Sequence, residues 1–172
     1  FYVRTTAKEL GIPSPITTTV RHEMGLEQAA LYKYLMKDLK DLKAKRMNSG
    51  KAQGGVVRLM QTAIDPKIAA EAILLDPSTD AMLEQLCLRV IDGDVGARVE
   101  AVVQEVRDFA AAGKKVVVWA PYVKTIEKLH DALLDLGSQK LWGRELLDDD
   151  EVTAIKREEL IRRFKEDDDR FV

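Results

Sequence analysis

Apolar positions recur with a helical period along most of the chain. Residues 26–46 place four leucines on one stripe of a helix and lysines on another. Shorter periodic stretches follow at 56–63 and 68–75, and residues 77–80 offer a helix start. The most regular pattern repeats apolar residues at i, i+3, i+4 and i+7 over residues 95–110. The first half of the chain is therefore predicted to be mostly helical.

Breaks are predicted wherever glycine or proline interrupts this pattern. Asn48-Ser49-Gly50 and Gly54-Gly55 are expected to separate the first helix from the second. Asp65-Pro66 is expected to end the second helix. Gly137 stands where a left-handed C-cap residue would close a helix over residues 122–136.

Strand patterns occur at four places. Residues 16–24 are β-branched and partly alternating, and residues 139–143 form a short apolar stretch. The continuous apolar run at 116–120 indicates a strand buried on both faces, and a last strand is expected at 170–172. Strands that alternate with helices imply a parallel sheet with right-handed crossovers. The predicted fold class is α/β, with a parallel sheet and flanking helices preceded by a mostly helical extension.

Composition narrows the class of protein. The 172 residues are 46% hydrophobic and 33% charged, with a net charge of −2, which is typical of a soluble globular chain. A dedicated nucleic-acid-binding domain is usually basic, so any DNA contact must come from local patches. No apolar run reaches the roughly 18 residues that span a membrane. The lone Cys87 forms no internal disulfide, which favours a reducing cytoplasm. The start at Phe1 and the end within a predicted strand indicate a fragment.

The residue types and their spacing give little evidence of a catalytic, metal or cofactor site. Gly54-Gly55 is not followed by the Lys-Ser/Thr pair of a phosphate-binding loop. His22 and His130 fall in different elements, and the acidic runs at 148–151 and 167–169 are typical of helix starts and turns. No catalytic residue, metal ligand or cofactor-binding residue is therefore predicted within the chain.

Several segments occur in the order found in one family of motor proteins. Trp119 and Tyr122 match the two aromatic positions of a motif that opens the second motor lobe, while Ala120 and Pro121 depart from its usual Ser-Gln. Downstream matches are Trp142-Gly143, the helix carrying Arg157, Ile161 and Phe164, and Arg170-Phe171-Val172. Upstream matches are Phe1 to Arg4, the predicted strand at 16–24, Gln28 to Tyr32, Val57 to Pro66 and Gly96 to Glu100. This ordered series resembles Swi/Snf-type superfamily-two DNA helicases and covers nearly all of the chain.

The resemblance implies a fold and a division of the chain. Residues 1–25 correspond to an inter-lobe linker with a strand, and residues 26–92 to a helical extension. Residues 93–172 correspond to the first half of the second lobe, a partial RecA-like sheet of the P-loop NTPase type that stops before the later helicase motifs.

The resemblance also implies a function. The fragment would belong to an ATP-dependent DNA translocase, in which the second motor lobe grips DNA and completes the ATP cleft. ATP and magnesium are expected to bind only the full-length parent, because phosphoryl transfer needs a phosphate cradle, metal ligands and a transition-state arginine together. Its partners would be double-stranded DNA and the first helicase lobe of the same chain, in the cytoplasm and near the bacterial nucleoid.

Four residues are candidates for binding DNA phosphate. Tyr122 and Lys124 begin a helix, where backbone N–H groups can receive a phosphate, although Tyr122 could equally be core packing. Arg144 follows the next predicted strand, with a solvated side chain as the alternative. Arg157 is a candidate by resemblance, with a surface salt bridge to a nearby glutamate as the alternative.

Other functions remain open from the sequence. The most basic region, residues 33–51, indicates either an electrostatic contact with DNA or a solvated helix face. One competing hypothesis is a non-catalytic protein-interaction domain with an α/β core and a helical arm. Another is a small-molecule-binding, doubly wound domain.

Overall fold

A computed structural model describes residues 14–44, 49–93, 96–141 and 151–166. Within these ranges the chain forms seven α-helices and one short 3₁₀ helix. The helices are α1 (Leu26–Ala44), α2 (Ser49–Ile64), α3 (Pro66–Leu74), α4 (Ala81–Asp92), α5 (Ala97–Ala111), α6 (Val123–Ala132) and α7 (Glu151–Glu166), with the 3₁₀ helix at Leu134–Leu136. The strand predicted at 170–172 lies outside the described residues.

The predicted α/β class with a partial RecA-like parallel sheet is wrong, because the described residues form helices and no strand. Residues 16–24 are irregular and exposed, with Ile16 97% accessible. Residues 116–120 and 139–141 are likewise in no strand, and residues 142–143 of the strand predicted at 139–143 lie outside the described residues. Strand propensity measures how well a side chain fits a half-buried pleated surface, so without a partner strand it does not produce a sheet.

Helices α1 to α4 close into a four-helix unit. α1 packs on α2 and α4, and α3 packs on the same two helices. The unit buries one apolar cluster, and each fully buried leucine or isoleucine contributes about 1.5–3 kcal/mol to folding. The buried members are Leu31, Leu35, Leu39, Leu59, Ala70, Ile73, Leu83, Leu86, Cys87 and Val90. The helical pattern predicted from Leu26 onward is thus confirmed, with the leucine stripe facing this core.

The glycine break predicted in the second helix is wrong. α2 begins at Ser49 and continues through Gly54 and Gly55. A Cβ atom at Gly55 would lie 3.1 Å from Cδ1 of the buried Leu39, whereas a Cβ at Gly54 would meet nothing within 4 Å. Gly55 therefore lets α2 approach α1 closely, which offsets the roughly 0.5–1 kcal/mol that glycine costs inside a helix.

The helix start predicted at Asp80 is confirmed. Its Oδ1 accepts hydrogen bonds from the backbone N–H groups of Met82 (3.0 Å) and Leu83 (2.9 Å), as an N-cap side chain does. Its Oδ2 accepts a hydrogen bond of 2.6 Å from the Tyr34 hydroxyl on α1. That hydrogen bond to a carboxylate, followed by partial burial, raises the pKa of Tyr34 to about 12. The cap of α4 thereby also ties α4 to α1.

Asp65 joins the four-helix unit to the second half of the chain. Asp65-Pro66 ends α2 as predicted, and it also starts α3, with Asp65 as N-cap and Pro66 at the first helical turn. The Asp65 side chain is only 2% exposed, and its Oδ2 lies 3.0 Å from Nζ of Lys128 on α6. Because an unpaired buried carboxylate is costly, this contact fixes the position of α6 against the α2–α3 corner.

Two further cations of α5 and α6 reach the same corner. Arg98 Nη1 donates to the carbonyl oxygen of Ala63 at 3.4 Å. Lys124 Nζ lies 3.5 Å from Glu71 Oε2, in a pair that is more than half exposed on both sides. The second half of the described chain is therefore held to the first by cations that converge on residues 63–71.

α5 and α6 form a smaller layer of their own. Its buried apolar residues are Val99, Val106, Ala110, Leu129 and Leu133. Arg107 of α5 makes a bidentate contact with Asp135 at 2.6 and 3.0 Å. Gly137 has φ 76° and ψ 27°, which confirms the predicted left-handed cap, although the predicted single helix over 122–136 is divided into α6 and the 3₁₀ helix.

Gly54→Ala and Gly55→Ala are expected to change the free energy of unfolding by different amounts. Gly54→Ala should raise the free energy of unfolding by about 0.5–1 kcal/mol, because the new Cβ meets open space. Gly55→Ala should raise the free energy of unfolding by less, or lower it, because the new Cβ crowds Leu39. Urea denaturation of both variants measures the difference, and equal gains would show that Gly55 has no packing role.

The contact between Asp65 and Lys128 can be tested with two substitutions on α6, Lys128→Ala and Lys124→Ala. Lys128→Ala should lower the free energy of unfolding by about 2 kcal/mol, because it leaves a buried carboxylate without its cation. Lys124→Ala removes the same charge from an exposed pair and should change the free energy by less than about 0.5 kcal/mol. Thermal and urea denaturation provide the measurement, and equal effects would refute the role given to Asp65.

Candidate functional site

One cavity among the described residues is an apolar groove of about 620 Å³. We call it the α6–α7 groove. Its walls are the segment 116–121, one side of α6, residues 138–141 and one side of α7. Leu129 and Leu133 form part of its floor, and Leu160, Ile161 and Phe164 face it from α7. The volume falls within the roughly 300–1,000 Å³ typical of ligand sites.

The segment 116–120 leaves apolar side chains exposed along this groove. Val117 is 59% and Trp119 91% exposed, while Val116, Val118 and Ala120 are half-buried. This alternation has the two-residue period of a strand, although no strand is present among the described residues.

Three cationic side chains belong to the described lining of the groove. Lys140, Arg157 and Arg163 line it, and none of the described lining residues is an aspartate or glutamate. Lys115, next to the segment 116–120, donates from Nζ to the carbonyl oxygen of Phe164 at 2.7 Å and lies over its ring. The groove is therefore apolar on its floor, with cationic side chains in its lining, and Lys115 connects two of its walls.

Three of the four predicted DNA contacts fall in the described part of the chain, and Arg144 lies outside it. Tyr122 is half-buried at the N-cap of α6, where no side chain caps the first N–H groups. Lys124 extends toward Glu71 of the four-helix unit. Arg157 is exposed, lines the groove and joins no ion pair among the described residues. An ion pair of Arg157 with Glu158, one of the two alternatives considered for this arginine, is thus not seen there, and the side chain of the other, Glu151, lies outside the description.

The structure brings these candidates only partly together. Pro121 and Val123 line the groove with Arg157, so the start of α6 and the middle of α7 share one cavity. Lys124 instead belongs to the α2–α3 contact. Sequence reasoning missed the groove positions of Lys140 and Arg163. The sequence signal for the groove was the set of apolar residues on the last helix, such as Ile161 and Phe164, which have no sheet to cover them.

Nucleophilic and metal-binding groups are few in the described residues. Cys87 is fully buried in the four-helix core, and burial raises the pKa of its thiol to about 11. His130 is half-buried, with Nδ1 2.9 Å from Oγ of the buried Ser138, so it packs against the groove wall. The described residues contain no group of three or more side chains suited to hold a metal ion. None of the described helices is both long and apolar enough to cross a bilayer.

Lysines 33, 37 and 40 form an exposed row on α1, on the side away from its buried leucines. This placement agrees with either reading of the basic region, a solvated face or an electrostatic contact with DNA. Comparison of the chain with protein-family models, curated proteins and solved structures finds no match. Function must therefore be argued from the residues themselves.

Cys87 is expected to resist thiol reagents in the folded chain. Raising its pKa from 9.0 to about 11 lowers the thiolate fraction at pH 8 about a hundredfold, and burial blocks access as well. A chromogenic disulfide reagent should therefore react at least about a hundredfold faster with the urea-unfolded chain. Similar rates in the folded and unfolded chain would contradict the packing of α4 described above.

Proposed function

We propose that this chain is part of the motor of a Swi/Snf-type DNA translocase, and that it contacts duplex DNA without hydrolysing ATP. The observation that carries the proposal is the ordered series of sequence resemblances from Phe1 to Val172. Two features of the structure support it: Arg157 is exposed without a described ion-pair partner, and the start of α6 has no side-chain cap. A cytoplasmic location near the nucleoid belongs to the same proposal.

The part played by these residues would be to bind phosphate. Arg157 offers a guanidinium group that suits a phosphate oxygen, and the N–H groups behind Tyr122 point out of the start of α6. Phosphate contacts position a protein on the duplex but carry no sequence information. ATP and magnesium would bind elsewhere in the parent protein, together with the first motor lobe.

A non-catalytic protein-interaction domain is the second candidate. The α6–α7 groove favours it, because an apolar cavity with an exposed tryptophan is typical of surfaces that bind other proteins. Duplex DNA separates the two candidates, since only the first requires a salt-dependent affinity for it.

Binding of a fluorescent DNA duplex to the purified chain tests the first candidate. Anisotropy titrations should show binding at low salt, weakening as salt increases because phosphate contacts release counterions. Arg157→Ala should weaken binding several-fold and lower the salt slope by about one. Arg162→Ala is the matched control, because it removes the same charge from α7 where Glu159 and Glu166 already neutralise it.

Two results would overturn the DNA-binding proposal. One is the absence of binding by the unsubstituted chain at low salt. The other is an equal loss in the Arg157→Ala and Arg162→Ala variants, which would show that only net charge matters. Circular dichroism of each variant confirms that the helices are intact.

A further inference from the structure

We propose that the chain hydrolyses apolar carboxylic esters in the α6–α7 groove, with Ser138 as the nucleophile and His130 as its general base. Neither residue is among those assigned to DNA binding, so this activity goes beyond the proposed function and does not depend on it. The pair meets the first requirement of nucleophilic catalysis, because its hydroxyl lies within hydrogen-bond reach of a base.

The first step concerns the distance between the nucleophile and its base. Nδ1 of His130 lies 2.9 Å from Oγ of Ser138. In the tautomer that carries its proton on Nε2, His130 accepts a hydrogen bond from this hydroxyl at Nδ1, which is the arrangement in which the imidazole can take the hydroxyl proton. Among the described residues no carboxylate contacts the ring, so the pair is a dyad and its turnover should be slow.

The second step concerns the way in which the fold places Ser138. Gly137 has φ 76°, its N–H donates to the carbonyl oxygen of Leu134 at 3.0 Å, and the N–H of Ser138 donates to that of Leu133 at 3.4 Å. Together these features form a Schellman cap, which fixes the residue that follows the glycine. The cap turns the chain back along the end of α6 and brings Ser138 beside His130.

The third step concerns the molecules that can reach the pair. His130 and Ser138 both line the α6–α7 groove. Ser138 is only 4% exposed, so it is sheltered from bulk water although it borders a cavity of about 620 Å³. Leu129 and Leu133 lie beside the pair on the groove floor and suit a hydrocarbon chain. The apolar lining therefore favours an ester whose acyl group is a hydrocarbon chain.

The fourth step concerns the oxyanion that forms on the substrate carbonyl. Gln139 follows the nucleophile, is exposed and lines the same groove. Its side-chain amide carries two hydrogen-bond donors, and glutamine amides can stabilise an oxyanion of this kind. Gln139 is therefore assigned as the oxyanion donor.

The reaction has two halves. In the first, the Ser138 oxygen bonds to the carbonyl carbon while His130 takes the hydroxyl proton, and the ester C–O bond breaks as this proton passes to the leaving alcohol. In the second, water attacks the acyl-serine, and His130 takes a proton from the water and gives it to Ser138. One water is consumed, and the products are a carboxylic acid and an alcohol.

The first test labels the unsubstituted chain with an alkyl fluorophosphonate, whose phosphorus bonds to an activated serine oxygen as fluoride leaves. Tandem mass spectrometry should place the adduct on Ser138. Ser78 is the internal control, because it is exposed and its hydroxyl donates to Asp76 and not to a histidine. Absence of the adduct at Ser138, or equal labelling of Ser78 and Ser138, would overturn the proposal.

The second test measures the release of p-nitrophenol from its acetate and hexanoate esters. The value of kcat/KM should be more than tenfold higher for the hexanoate, because each methylene buried in the groove should raise it about fourfold. Ser138→Ala, His130→Gln and Gln139→Ala should each lower hydrolysis of the hexanoate at least about tenfold. His22→Gln is the matched control, because it removes the other histidine of the chain, which is exposed, and it should leave the rate unchanged.

Two kinetic results would also contradict the assignment. One is an unchanged rate in Ser138→Ala, and the other is an equal loss in His22→Gln and His130→Gln, which would show that any exposed imidazole attacks the ester. Circular dichroism checks that each variant keeps its helices. Duplex binding should be the same in Ser138→Ala as in the unsubstituted chain, so failure of this activity and failure of DNA binding can be told apart.

Discussion

The buried carboxylate of Asp65 is the contact on which the arrangement of the described chain depends. It caps α3 inside the four-helix unit and meets Lys128 of α6 at 3.0 Å, so one side chain belongs to both halves. A carboxylate that is 2% exposed needs a partner, and the partner that it has fixes α6 in place. Because α6 forms one side of the groove, the position of that groove also follows from Asp65.

Residues 116–120 line the groove and connect α5 to α6. Helices α5 and α6 are held by packing and by cations, while the segment between them belongs to no strand among the described residues. Val117 and Trp119 are exposed despite their apolar character. An apolar groove with an exposed tryptophan is typical of surfaces that bind other proteins.

Sequence periodicity predicted the helices well and the sheet wrongly. The leucine stripe after Leu26 and the cap at Asp80 were readable because helices depend on neighbours three and four residues away. Gly55 was misread because its partner, Leu39, lies on another helix. Strands depend on distant partners, so the apolar run at 116–120 indicated a strand without showing whether a partner strand would be present. For the candidate site, Arg157 was named in advance, whereas Lys140 and Arg163 joined it only through tertiary packing.

Amide hydrogen exchange of the free chain tests most directly whether residues 116–120 lie outside a sheet. Their amides should exchange at nearly the rate of an unstructured peptide, whereas amides of α3 and α4 should exchange at least about a hundredfold more slowly, because those are hydrogen-bonded within helices around a buried core. Protection of residues 116–120 comparable to that of α4 would show that they are paired in a sheet and would contradict the structure described.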